Sequence, residues 1–119
     1  MDIRRLSSGL SFRGNVDGQR QKYYVFEGRQ SFFVFSFSRS KPKTGYFNEV
    51  AFEAVKYVQR LTRGQQGVTA QSLYKRSRKP KYIRSALEAL NIMYVLVAIG
   101  CAKIDRRHKS RQLFFNISD

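Results

Sequence analysis

Hydrophobic and polar positions follow two different periods along this chain, and the change of period divides it. Tyr23-Tyr24-Val25-Phe26, then Glu27-Gly28-Arg29-Gln30, then Ser31-Phe32-Phe33-Val34-Phe35-Ser36-Phe37-Ser38 place aromatic and β-branched residues on either side of a glycine-containing turn. That pattern predicts a β-hairpin. In its second strand a period of two sets Phe33, Phe35 and Phe37 on one face, and Phe32 with Val34, Ser36 and Ser38 on the other. Residues 1–21 hold Gly9, Gly14, Gly18 and scattered charge, and read as a loose arm with a short strand around Leu10 to Arg13. Arg39-Ser40-Lys41-Pro42-Lys43-Thr44-Gly45 has no apolar residue and reads as an exposed loop at a subdomain boundary.

Beyond the loop the period becomes helical. Phe47, Val50, Ala51, Ala54, Val55, Val58 and Leu61 recur at spacings of three and four, with Asn48 placed as N-cap and Glu49 and Glu53 near the start. The expectation is a helix over 48–63, covered by Phe33, Phe35 and Phe37 and ended by Gly64 to Gly67. A short helix from Ala70 to Arg76 follows, with Thr69 as N-cap and Leu73 and Tyr74 turned inward. Ser77-Arg78-Lys79 is a turn, and a third helix opens at Pro80, whose missing amide hydrogen suits a first helical position. Its inward stripe is Ile83, Ala86, Leu87 and Leu90. The apolar run Ile92 to Ile99 fits either a buried continuation of that helix or a buried strand, and the spacing Leu87, Leu90, Tyr94, Val97 leans toward helix. Gly100 stops it, and Cys101 to Ile104 and Gln112 to Ile117 read as two strands joined by a basic loop.

Charge narrows the function. The chain carries 23 Lys and Arg against 8 Asp and Glu, a formal net charge of +15. A polyanion offsets such self-repulsion by releasing condensed counterions, so nucleic acid leads as partner and anionic lipid comes second. The eight-residue apolar run is short against the ~20 residues of a membrane-spanning helix, so no membrane partner is expected. One cysteine, Cys101, and one histidine, His108, supply neither an internal disulfide nor a Cys/His zinc site, so no metal is expected. Together with an N-terminus lacking the apolar core of a signal peptide, this points to an intracellular, cytoplasmic protein. Gly64 and Gly67 lack a following Lys-Ser or Lys-Thr, so no nucleotide cofactor is expected either. Catalysis finds little support, since the one histidine lies in a charge run and the acids are scattered. A nuclease built on Asp17 and Glu27 is the enzymatic alternative.

Three clusters of cations are the candidate nucleic-acid contacts. Lys75, Arg76, Arg78, Lys79, Lys81 and Arg84 put six positive charges in ten residues with no acid between them. Lys103, Arg106, Arg107, Lys109 and Arg111 with His108 surround the tip of the last hairpin, and Arg39, Lys41 and Lys43 adjoin the Phe-rich one. The phrases Val68-Thr69-Ala70-Gln71-Ser72-Leu73, Ile83-Arg84-Ser85-Ala86-Leu87-Glu88-Ala89-Leu90 and Ile99-Gly100-Cys101-Ala102-Lys103-Ile104, in the order helix, short helix, turn, helix, strand, basic loop, strand, resemble the winged helix-turn-helix family.

That resemblance implies an α+β fold: an N-terminal β-hairpin, then a three-helix winged helix-turn-helix with a C-terminal β-hairpin wing. The domains would be residues 1–46, a basic arm with an aromatic hairpin, and residues 47–119, the winged helix. It implies a double-stranded DNA-binding protein, such as a transcriptional regulator or the target-reading part of a DNA-processing system. Lys81, Tyr82, Arg84 and Ser85 would meet base edges, Arg84 foremost through two parallel hydrogen bonds to a guanine. The wing would follow the backbone or a minor groove on the same side of the molecule. The alternatives are an RNA-binding or ribosome-associated protein whose hairpin aromatics stack unpaired bases, and a homodimer formed through the run Ile92 to Ile99.

Overall fold

The aromatic hairpin is the centre of a larger sheet, because each of its strands has a second neighbour. A computed structural model of the chain describes residues 9–19, 21–37, 45–107 and 112–119. Its first half is a four-stranded antiparallel sheet in the order β1-β2-β3-β4, with β1 Ser11–Asp17, β2 Lys22–Glu27, β3 Ser31–Phe37 and β4 Gly45–Ala51. Among the described residues, α1 Phe52–Thr62, α2 Ala70–Arg76 and α3 Ala86–Ala98 follow, then an antiparallel pair, β5 Ala102–Ile104 and β6 Phe115–Ile117. The fold is mixed α+β.

β4 lies where a loop and a helix start are expected. Phe47, Val50, Ala51 and Ala54 do fit a helical spacing, but Tyr46, Asn48 and Val50 also alternate. Pairing along the whole of β3 gives that strand's amides and carbonyls partners on its second side. Asn48 therefore sits in mid-strand opposite Val34, and α1 opens at Phe52 behind Ala51, which supplies no side-chain cap. The boundary expected between residues 46 and 47 falls inside β4. β1 is also longer than expected, and a register shift between Phe12 and Gly14 bends it. A side chain at Gly14, whose φ is 155°, would meet the carbonyl oxygen of Ala98 at 3.3 Å, so glycine there lets α3 approach the strand.

One apolar core unites the sheet with the helices. Val16, Val25, Phe32, Val34 and Val50 face α3, whose Ala89, Ile92, Met93, Val95 and Leu96 are buried. α1 adds Ala54, Val55 and Val58, α2 adds Leu73, and β6 adds Phe115 and Ile117. The run from Asn91 through Ala98 is thus helical, and its residues to Leu96 are consumed inside the chain, leaving none of them as a dimer surface. Ile99 and Gly100, at φ 82°, end the helix, and the Cys101 amide donates to the Leu96 carbonyl at 2.8 Å.

Pro80 does not open α3. Residues 79–83 make a single turn, with the Tyr82 and Ile83 amides donating to the Lys79 carbonyl. The helix starts after Ser85, whose hydroxyl accepts from the Glu88 amide at 3.1 Å. The Glu88 carboxylate accepts in return from the Arg84 amide at 3.2 Å. α2 begins as expected at Thr69, through a reciprocal pair of bonds with Ser72, each 3.0 Å. Between α1 and α2, Val68 bridges to Phe115, so β6 has Val68 on one side and β5 on the other. Among the described residues no helix is long and apolar enough to cross a membrane.

Candidate nucleic-acid interface

The segment from Lys75 to Ser85 is held to the body by aromatic contacts that leave most of its cations outside. Tyr57 of α1 stacks near Tyr82, with ring centroids 5.5 Å apart, and its phenol oxygen accepts from the Arg78 amide at 3.1 Å and lies 3.5 Å from the Ser77 hydroxyl. The Ser77 hydroxyl, the Arg78 amide and the nearby charges of Lys79 and Arg76 hold the Tyr57 phenol below its usual value, against a smaller opposing effect of burial. The backbone of the segment is thereby fixed. Lys75, Arg78 and Lys79 are exposed and their side-chain nitrogens have no partner among the described residues. With Tyr74, Ser77, Pro80 and Ile83, two of them line a shallow hollow.

The other cations of the segment have internal partners. Arg76 reaches back to the Leu61 carbonyl and the Gln65 side chain, neutralising the carboxyl end of α1. Arg84 Nε lies 2.9 Å from Glu88 Oε1. Lys81 Nζ stands 5.2 Å from the Tyr82 ring centroid. Tyr82 is half-buried, and Ser85 uses its hydroxyl as the α3 cap. α3 itself carries no Lys or Arg, and the sheet covers one of its sides.

The second cluster lies elsewhere. Arg107 forms a forked pair with the buried Asp105, at 2.6 and 2.9 Å, which holds that carboxyl well below the usual carboxylate range. Arg106 donates to the Asp17 carbonyl at the end of β1 at 2.6 Å. Lys103 is exposed and unpartnered among the described residues. Lys81, Tyr82 and Arg84 stand beside β4 in one cleft, whereas Arg106 is fastened to β1, the opposite edge of the sheet. The described cations Arg84 and Arg106 are thus anchored at opposite edges of the sheet. Arg39, Lys41, Lys43, His108, Lys109 and Arg111 lie outside the described residues.

The sheet's outer face is the feature that residue spacing assigned to the wrong side. Phe33, Phe35 and Phe37 do not cover α1; the strand turns Phe32, Val34 and Ser36 toward the helices instead. Two cross-strand rows run over the outer face: Phe12, Phe26, Phe33 and Glu49, then Asn15, Tyr24, Phe35 and Phe47. Phe37 lies beyond them, with its ring centroid 6.0 Å from that of Tyr24. Successive rings meet tilted or edge-on at 5.3 to 6.4 Å between centroids. The central rings shield one another, Phe26 being 4% and Phe35 5% exposed, while the flanking rings Phe12 and Phe47 are 55% and 63% exposed.

Asp17 and Glu27 do not form a paired site. They stand at opposite ends of the β1–β2 ladder, beside Lys22 and Arg13 respectively. Among the described residues no three His, Cys, Asp or Glu side chains are grouped to hold a metal ion. The chain matches no known family model, and neither curated proteins nor solved structures include one found similar to it.

Proposed function

We propose that this chain is a non-enzymatic nucleic-acid-binding module that holds double-stranded DNA by its phosphates through the segment 75–81. The observation that carries this reading is the fixed backbone from the last turn of α2 to the turn before α3, from which Lys75, Arg78 and Lys79 project without ion-pair partners among the described residues. Three cations held on a pinned segment lose little freedom on meeting a phosphate row, and each neutralised phosphate releases counterions.

The winged helix-turn-helix reading gains support from connectivity. Val68 between the first two helices pairs with the last strand, which also pairs with the strand after the third helix. The location of the cations favours phosphate binding over base reading by α3, because they precede the helix and the sheet occupies one of its flanks.

The test is a competition assay with duplex DNA, single-stranded DNA and structured RNA at two salt concentrations. Replacing Lys75, Arg78 and Lys79 together by alanine is expected to weaken every duplex alike. It should also flatten the plot of log K against log salt by about 0.9 for each phosphate that is no longer neutralised. An unchanged slope overturns the assignment to this segment, and tighter binding of structured RNA than of duplex overturns the choice of DNA.

A further inference from the structure

We infer that the outer face of the four-stranded sheet is a stacking platform for the unpaired bases of single-stranded nucleic acid, separate from the phosphate-holding segment. The reasoning starts from a contrast within the same strands. An antiparallel sheet covered on one side ordinarily turns polar residues to the other, and here the second side is apolar as well. The chemistry of the two sides differs, however. Inward positions are mostly aliphatic, with Val16, Val25, Val34 and Val50. The large apolar positions outward on the paired strands are flat rings, with Leu10, just before β1, at their margin beside Gly28 and Phe33.

A surface meant for a packed core or for a protein partner gains from aliphatic side chains that fill gaps. A surface made chiefly of rings offers π faces, which attract the faces of nucleobases whatever their sequence. The two most exposed rings of this face, Phe12 on β1 and Phe47 on β4, stand on the two edge strands of the sheet, so a strand crossing it would meet one ring at each side.

Charge selects the occupant. A second copy of this chain would bring a further +15 against the first, whereas a single-stranded polyanion lowers that repulsion. Arg29 in the β2–β3 turn is exposed and unpartnered among the described residues, and Lys22 at the end of β2 is exposed beside Asp17 at 3.9 Å. Duplex DNA keeps its base faces stacked internally, so it cannot use the rings. Only an unpaired strand can.

The experiment measures binding of fluorescently labelled oligo-dT and oligo-U of equal length, and of a duplex, by the parent chain and three double variants at Phe12 and Phe47: to alanine, to leucine and to tyrosine. Base stacking on an aromatic ring contributes ~1–3 kcal/mol per base, so alanine at both positions should weaken single-strand binding at least about thirtyfold and leave the duplex unaffected. Leucine keeps apolar area without a π face and should weaken it too, while tyrosine should retain parental affinity. The oligo-dT and oligo-U arms show which backbone the platform prefers. Failure of the parent to bind either oligonucleotide overturns the inference, as does parental affinity in the leucine variant. A parent that sediments as a dimer and becomes monomeric in the alanine variant overturns it in favour of self-association. Because the Lys75, Arg78 and Lys79 substitutions lie on the helical side, loss of duplex binding there and loss of single-strand binding here are separately readable.

Discussion

β3 presents two apolar faces that meet opposite fates. Inward, Phe32 and Val34 are sealed beneath α3 and contribute to the core. Outward, Phe33, Phe35 and Phe37 meet chiefly other rings of the sheet among the described residues. An alternating strand normally declares its buried face by hydrophobicity, and this strand is hydrophobic on both. The difference lies in what each face meets: Phe32 packs edge-on against Phe52 of α1 and Val34 joins the core, while the outward rings lie beside one another and keep faces or edges toward solvent. Burial by an element and mutual shielding by rings are distinct states, and substitution distinguishes them.

The largest effect is expected where the cover meets the inner face. Leu96 of α3 is fully buried, and Leu96→Ala should cost ~2–5 kcal/mol, the range for removing a packed leucine and leaving a cavity. Urea unfolding of the variant beside the parent measures it. A loss of a few tenths would mean that α3 is not the seal on the sheet and that the two faces differ less than their burial indicates. The next effect is at the start of that cover. Ser85→Ala removes the hydroxyl that accepts from the Glu88 amide and should cost about 1 kcal/mol. An unchanged thermal midpoint would show that the helix does not depend on this cap.

Ser85 also shows how far the sequence was legible. Ser85-Ala86-Leu87-Glu88 carries the S-x-x-E pattern of a helix start, so the true beginning of α3 was available to inspection. Pro80 competed with it on propensity alone, although the turn it opens ends before Ser85, whose backbone is extended. Thr69 had no such competitor, and α2 lies where its residues predict. β4 was hidden for a different reason: Tyr46 to Ala51 satisfies both periods, and only the free edge of β3 decides between them. That edge is a tertiary fact. The platform was half legible, since period two groups Phe33, Phe35 and Phe37 correctly but does not say which group meets the helix. As for the cations, their number was plain from composition. Their availability was not, because Arg76, Arg84, Arg106 and Arg107 have internal partners that no local pattern announces.

On the outer face the stability effect should be small. Phe47 is more than half exposed and meets Phe33 and Phe35 at 6.4 and 5.8 Å between centroids. Phe47→Ala should therefore cost no more than about 1 kcal/mol, chiefly the aromatic pairing itself. A cost matching that of Leu96→Ala would place this ring in a core, and the contrast between the faces would fail.

The smallest effect at neutral pH, and the one most specific to the inner face, concerns Tyr94. Its ring stacks on Tyr23 at 4.3 Å between centroids and meets Phe115 edge-on at 6.4 Å. Burial pushes the Tyr94 phenol well above the ordinary value of 10.0, with the neighbouring Tyr23 adding to the shift and Arg106 opposing it. The neutral phenol is thus the form that the fold favours. Its contribution to stability is present in full below about pH 10 and is lost as pH rises from there, because an unfolded chain ionises first. Tyr94→Phe should change stability by less than about 1 kcal/mol near pH 7, where a single hydrogen bond is at stake. Above pH 10 the parent should lose stability with rising pH more steeply than the variant. Urea midpoints between pH 8 and 11 give the comparison, and parallel curves for the two proteins would mean that the phenol reaches water, so that the inner face is open where the helix is said to close it.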